Sequence, residues 1–304
     1  MSLQIDSYFS IVESSDIAPV LPPLPITQQT ILNIGSNSSE EAALVRLLIG
    51  SVSFSHTSSN KNISQRINHS IYGLPKNNKI NELTIKNKLL KIDISHTALD
   101  HYLRKSLRQK EFYKTLLLET LHYFHRRKKS EECMAFLHLY RFMERVSFSF
   151  PLAYASASKD YLGAFDSLKD FLGDSKTELP FFNRFAESIF DDVILDNATE
   201  FSFPALTIEE QRKAVNSLDK CLFSKENIES KTDQSIRIKN RGMLDLIIGV
   251  RNRFFHQNSS HKNNLSLIDV PMPDLFFQAI NEKMFAWLAL IYFEVLKQKI
   301  NAIY

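Results

Sequence analysis

The chain has 304 residues, enough for one large domain or two smaller ones, and 44% hydrophobic with 23% charged residues is a globular composition. Only seven glycines occur, with none between Gly73 and Gly163, which suits long helices and argues against a sheet-rich fold with many tight turns. The formal net charge of +3 is mild, so any attraction for nucleic acid must come from a local patch and not from the protein as a whole.

The two cysteines, Cys133 and Cys221, lie far apart without metal-ligand spacing around them, which argues against a disulfide framework or a zinc knuckle. The N-terminus lacks the basic start and apolar core of a secretory signal. The longest apolar run, Met284 to Phe293, is about half of the roughly 20 residues that span a membrane. We therefore expect a soluble, cytoplasmic protein without a membrane, metal or cofactor requirement.

Residues 1–92 differ in composition from the rest of the chain. Prolines cluster early in this stretch, serine and asparagine are dense in its middle, and short β-branched runs cover 30–34 and 80–85. We predict a loop-rich accessory or sensor segment with a few short strands or helices.

Two long helices are predicted next. Leucine and phenylalanine recur at helical spacing from Ser95, a candidate N-cap, to Arg127. A second apolar stripe begins near Glu131 and reaches Pro151, which is expected to kink or end that helix. Shorter helices are predicted at 159–172, 180–192 and 207–222, and the last of them opens with Thr207 and Glu210 in capping-box spacing.

The last two predicted helices cover 232–256 and 273–302, with a polar loop at 257–269 between them. The final helix is apolar almost all round, so it must be buried on more than one side. The predicted fold is therefore mainly α, with a helical bundle over 93–304 that follows the loop-rich segment 1–92.

The helix predicted at 232–256 closes on the segment Gly249-Val250-Arg251-Asn252-Arg253-Phe254-Phe255-His256. Its arginine and histidine put a permanent cation beside the side chain that titrates near neutrality. The segment resembles the signature of the HEPN superfamily, in which an arginine, a polar residue that is often asparagine, and a few variable positions lead to a histidine at the end of a core helix. Arg251, Asn252 and His256 match this signature position for position, and the resemblance covers roughly residues 97–304.

The resemblance implies an HEPN-like helical bundle and a metal-independent endoribonuclease. Many HEPN domains are RNases of toxin-antitoxin, CRISPR and anti-phage abortive-infection systems, whereas others have no catalytic activity. Because RNA carries its own 2′-hydroxyl nucleophile, His256 is the candidate general acid-base, and Arg251 would hold the phosphate and stabilise charge in the transition state. The expected products have a 2′,3′-cyclic phosphate and a 5′-hydroxyl.

Helix geometry sets a condition on this chemistry. At about 100° per residue, positions 251 and 256 are roughly 140° apart around an ideal helix, whereas Asn252 and His256 share a face, so Asn252 is expected to orient the imidazole. Fraying at His256, or a second motif across a two-fold axis, would bring Arg251 and His256 to one phosphate. HEPN RNases commonly pair their motifs in one cleft, and we predict a homodimer through the C-terminal helices.

Basic residues concentrate around the motif, with Asp245 as the one acid among them: Arg237, Lys239, Arg241, Arg251, Arg253 and Lys262. Lys239, Arg241 and Arg253 are candidate RNA-binding residues, although a solvated helix face explains the pattern equally well. An arginine and a histidine at a helix C-terminus are also favoured by the helix dipole. On the residues alone this capping role outweighs catalysis, and the resemblance shifts the preference toward catalysis.

The leading hypothesis is an HEPN-type endoribonuclease that acts on RNA as a toxin or anti-phage defence effector, with an antitoxin or trigger partner that controls it. The alternative is a catalytically inactive HEPN module that dimerises or binds a partner. An interfacial membrane protein ranks last, because the apolar final helix lacks a strongly polar face.

Overall fold

The computed structural model describes most of the chain: residues 2–13, 34–35, 38–70, 93–105, 109–157, 160–172, 178–255 and 264–302. Within these ranges the fold is mainly α, as predicted, with two small antiparallel sheets. None of the described helices has the length and apolar character that crossing a membrane requires.

Ten helices follow one another in the described ranges: α1 (Glu40–Leu48), α2 (His96–Lys105), α3 (Lys110–Lys128), α4 (Glu132–Ser156), α5 (Tyr161–Leu172), α6 (Glu178–Ile189), α7 (Asp192–Asp196), α8 (Ile208–Cys221), α9 (Met243–Phe254) and α10 (Pro273–Asn301). Seven strands accompany them: β1 (Ser2–Gln4), β2 (Phe9–Glu13), β3 (Val52–His56), β4 (Ser59–Gln65), β5 (Ala198–Ser202), β6 (Ile228–Lys231) and β7 (Ser235–Lys239).

Packing divides the chain into two compact units. Unit 1 comprises Met1–Lys128 and Ala289–Tyr304, and unit 2 comprises Lys129–Leu288. Helix α10 therefore contributes its first part to unit 2 and its last part to unit 1. The domain boundary is predicted at residue 92, and the stretch before it, 71–92, lies outside the described residues. The boundary therefore stays a prediction.

Unit 1 contains a four-stranded sheet with the order β1-β2-β3-β4 and antiparallel neighbours throughout. Ile11 of β2 lies opposite Phe54 of β3, and both side chains are fully buried. Alternate side chains of a strand share one face, so these two residues mark the buried face of the sheet. The β-branched runs at 30–34 and 80–85, where short strands or helices are predicted, lie outside the described residues, except for Ile34.

A buried charge pair ties the C-terminal part of α10 to the other helices of unit 1. Lys299 of α10 lies 3.8 Å from the carboxylate of Glu41 in α1, and its Nζ donates a hydrogen bond of 2.8 Å to the Tyr113 hydroxyl of α3. Tyr102 of α2 donates a second hydrogen bond of 2.8 Å to Glu41. Burial lowers the pKa of Lys299 and raises that of Tyr113. Phenol hydroxyls thus help to solvate a charge pair that would otherwise be costly to bury.

Unit 2 contains the helices α4 to α9, the first part of α10 and a second sheet with the order β5-β7-β6. The helices predicted at 159–172, 180–192 and 207–222 are confirmed as α5, α6 and α8. The Thr207–Glu210 capping box predicted for α8 is present. Pro151 lies inside α4, which continues to Ser156, so the proline does not end the helix even though it removes one backbone donor.

The helix predicted from 232 to 256 is wrong in nearly its first half. Residues 235–239 form strand β7 instead, and α9 begins only at Met243. The physical reason is a period of two: Ile236 and Ile238 are fully buried, while the residues between and beside them are partly exposed. The final helix, predicted at 273–302, is confirmed as α10, and its apolar residues are buried around most of its circumference.

His69 gives unit 1 a pH-dependent stability. The side chain is 2% exposed, and burial, with a smaller effect of the Arg127 guanidinium, lowers its pKa from 6.5 to about 3. Because the folded pKa lies below the unfolded one, this group stabilises the fold fully above about pH 6.5, and the contribution is lost as the pH falls toward 3. Between pH 7 and pH 5 the loss is about 2 kcal/mol.

We predict that His69→Phe removes this part of the pH dependence. The measurement is urea unfolding at pH 7 and pH 5, followed by far-ultraviolet circular dichroism, because the single tryptophan, Trp287, lies in unit 2. The exposed His101 provides the matched control as His101→Gln. A His69→Phe protein that loses as much stability on acidification as the wild type would contradict the prediction.

Candidate functional site

The arginine and asparagine of the predicted motif lie in the last turn of α9. A 3₁₀ turn, Asn240–Gly242, leads into this helix. At Gly249 the helix approaches α8 so closely that a Cβ atom would lie 1.9 Å from the carbonyl oxygen of Cys221. A residue without a Cβ atom is required at this crossing, and it fixes the position of Arg251 half a turn later.

An aromatic cluster holds the C-terminal end of α9. Phe255 stacks on Phe136 of α4, with ring centroids 5.7 Å apart and planes at 4°. Phe254 contacts Phe277 of α10 edge to face at 5.1 Å. The amide of Leu265 donates a hydrogen bond of 2.8 Å to the carbonyl oxygen of Arg253. The helix end is therefore packed, and not frayed, as far as Phe255.

The guanidinium of Arg251 is held by uncharged groups. Its Nη1 donates a hydrogen bond of 2.9 Å to Oδ1 of Asn252, and its Cζ lies 4.8 Å from the ring centroid of Tyr140 in α4. The residue is half-buried. Within the described ranges, no carboxylate forms an ion pair with Arg251, and its Nε and Nη2 have no hydrogen-bond partner.

Asn252 and His256 were expected to act together. The structure shows that the amide oxygen of Asn252 accepts from Arg251, so this side chain orients the guanidinium. His256 lies outside the described residues, and its predicted role and its contact with Asn252 stay predictions. Arg253, the third basic candidate of this turn, is half-buried.

The other two predicted RNA-binding residues lie at the opposite end of α9. Lys239 ends β7 and Arg241 lies in the 3₁₀ turn, about 15 Å along the helix axis from Arg251 at 1.5 Å per residue. Arg241 Nη2 lies 2.9 Å from Asp192 and 3.4 Å from Asp196, and Lys239 Nζ lies 3.9 Å from Asp196. The structure does not bring these two cations together with Arg251.

Carboxylates gather near the N-terminal half of α9. Burial raises the pKa of Asp245. Burial also raises the pKa of Glu187, which Arg241 opposes and Asp245 reinforces. The hydrogen bond to Asp192 raises the pKa of Arg241. The cations at this end are thus balanced by acids, whereas Arg251 is not.

Tyr140 is the site residue that the sequence did not reveal. It lies within the apolar stripe predicted between Glu131 and Pro151, and its 5% exposure agrees with a core position. Its ring also packs under the Arg251 guanidinium. No local pattern signals this contact, because it depends on how α4 and α9 cross. An aromatic residue on a core helix gives no more than a weak hint.

The arrangement is suited to an anion. Arginine offers a planar fork of N–H donors, and phosphate oxygens match that fork in two-point contacts. Neutral partners orient the Arg251 guanidinium without cancelling its charge. As for metals, the part of the chain that the structure describes contains no group of three or more His, Cys, Asp or Glu side chains that is arranged to hold an ion.

In comparisons with known proteins, no family model, no curated protein and no solved structure matches the chain.

The crossing at Gly249 leads to a stability prediction. Gly249→Ala should lower the free energy of unfolding by about 2 kcal/mol or more, because the new methyl group meets backbone and the helices must move apart. Urea unfolding of unit 2 followed by Trp287 fluorescence measures this effect.

The matched control is Gly163→Ala in α5, where the Cβ atom meets only the side-chain end of Asp160 at 2.9 Å. This carboxylate caps the start of α5 by accepting from the amides of Leu162 and Gly163. Displacing a cap costs about 1 kcal/mol, so the cost should be clearly smaller than that of a methyl group against backbone. Equal stability of the wild type and Gly249→Ala would show that α8 and α9 are not in close contact here.

Proposed function

We propose that this chain is an HEPN-type, metal-independent endoribonuclease in which Arg251 binds the scissile phosphate and His256 transfers protons. The observation that carries the proposal is the state of Arg251: half-buried, oriented by Asn252 and Tyr140, and without a carboxylate partner in the described ranges. Burying a cation without an acid is costly, which favours a role in binding an anion from outside.

The proposed reaction uses the 2′-hydroxyl of the RNA. His256 removes its proton as the oxygen attacks phosphorus, and the bond from phosphorus to the 5′-oxygen breaks. The protonated His256 then donates this proton to the departing 5′-oxygen, which leaves a 2′,3′-cyclic phosphate and a 5′-hydroxyl. Arg251 stabilises the charge that builds up on the non-bridging oxygens. DNA lacks the nucleophile and should remain intact.

The proposal includes a homodimer that brings two motifs to one cleft, and a role as a toxin or anti-phage effector under the control of a partner. The dimer was expected to cover the apolar surface of α10. Most large apolar side chains of α10 are already buried within the single chain, and only Leu275 and Leu290 are partly exposed, so that surface does not require a partner. The chemical reason for a dimer is then the pairing of Arg251 with His256.

One observation favours the alternative, an HEPN module without catalytic activity. Lys239 and Arg241 are engaged by Asp192 and Asp196, so RNA would have to displace these aspartates to use both cations. Binding of RNA along the whole of α9 is therefore not favoured, and the proposal depends on the C-terminal end of the helix alone.

The test is incubation of the purified protein with total RNA in the presence of EDTA. The wild type should cleave and leave cyclic-phosphate ends. His256→Ala should lower the rate by about 10² to 10⁴ through loss of proton transfer. Arg251→Ala should lower it by about 10² to 10³ through loss of charge stabilisation.

Arg145→Ala is the matched control, because Arg145 is an exposed arginine of α4 away from the motif. It should cleave at the wild-type rate. RNA that stays intact with the folded wild type, alone and with cell extract as a source of a trigger, would favour the catalytically inactive module. Cleavage that survives in both motif variants would point to a contaminating nuclease.

A further inference from the structure

Two successive turns of α4 hold two successive turns of α9. Phe136 stacks on Phe255, and Tyr140, four residues later, lies under Arg251, four residues earlier. Residues four apart share a helix face, so the two contacts lie on neighbouring turns of one interface, along which α4 and α9 run in opposite directions. The stack of Phe136 on Phe255 therefore fixes the position along α9 at which the Tyr140 ring meets the guanidinium.

The contact between Tyr140 and Arg251 involves a charged group, whereas the contact one turn away is apolar. Tyr140 is 5% exposed, and the Cζ of Arg251 lies 4.8 Å from its ring centroid, within the range of a cation–π contact. The ring occupies a face of the planar guanidinium, and Asn252 occupies Nη1. The edge that carries Nε and Nη2 has no partner within the described part of the chain.

We propose that Tyr140 is a positioning residue that preorganises Arg251 for a backbone phosphate of RNA. This inference rests on the proposed function of the same site and adds how the phosphate is bound. A free arginine side chain loses considerable rotamer freedom when it binds an anion. Here the ring and the amide restrict that freedom before the phosphate arrives.

The same geometry defines which part of Arg251 is available to a ligand. Tyr140 covers one face of the guanidinium, and the edge with Nε and Nη2 is left for a hydrogen-bonded partner. Two oxygens of a phosphate match that edge. Contacts to phosphate carry no sequence information, so Arg251 bound to phosphate in this way anchors RNA without reading its bases.

The test measures binding of a short 2′-O-methyl RNA oligonucleotide of mixed sequence, which lacks the nucleophile and cannot be cleaved. Tyr140→Phe keeps the ring and should bind like the wild type. Tyr140→Leu keeps an apolar side chain without the ring and should bind about five- to tenfold more weakly, as expected for loss of a partly buried cation–π contact. Circular dichroism confirms that the variants fold.

A double-mutant cycle with Arg251→Ala separates positioning from a general structural effect. In that background Tyr140→Leu should change the affinity little, because the group that the ring positions is absent. Equal weakening in both backgrounds would overturn the inference, as would wild-type affinity of Tyr140→Leu, a Phe variant as weak as the Leu variant, or a wild type that does not bind the oligonucleotide. A wild type that binds with the predicted pattern but leaves ordinary RNA intact, alone and with cell extract, would refute the nuclease and leave this inference intact.

Discussion

The candidate site depends on the crossing of α9 with two other helices. Gly249 brings its backbone against the end of α8, where a methyl group would meet a carbonyl oxygen at 1.9 Å. Two residues later, Arg251 meets the Tyr140 ring of α4, and the stack of Phe255 on Phe136 closes the contact one turn further on. Because a packed interior resists small displacements, these contacts place one guanidinium within narrow limits. The charge, the hydrogen bond and the proposed chemistry all follow from that placement.

Three of the cations predicted around the motif differ in their partners. Lys239 and Arg241 lie beside aspartates, which give them a structural partner and reduce the field they exert outward. Arg251 is oriented by an amide and an aromatic ring, which contribute no net negative charge. Net charge and composition do not separate these cations, since each counts equally toward the total of +3. Only the identity of each partner distinguishes a cation that stabilises the fold from one that remains able to bind an anion.

The elements that the sequence predicted well are those with long-range periodicity or a local cap. α8, with its Thr207–Glu210 capping box, and α10 were found because their signals lie within the element itself. The strand β7 was taken for the start of a helix, because Ile236 also falls at helical spacing from Met243 and the period of two spans only five residues. The role of Tyr140 was not predictable, because a cation–π contact between α4 and α9 exists only after the chain has packed. Arg251 was predicted as a cation at a helix end, but its neutral surroundings were not.

A helix C-terminus is an unusual place to bind an anion. The helix dipole puts about half a negative charge there, which stabilises a nearby cation but repels a phosphate. Arg251 brings one full positive charge to the last turn of α9, which outweighs the half charge of the dipole, yet the helix itself adds nothing to the attraction. A phosphate between two such helix ends would meet the guanidiniums of both, while each dipole falls off within one turn. In the proposed dimer the negative charge of the bound phosphate would offset the repulsion between the guanidiniums of the two copies, independently of any apolar surface on α10.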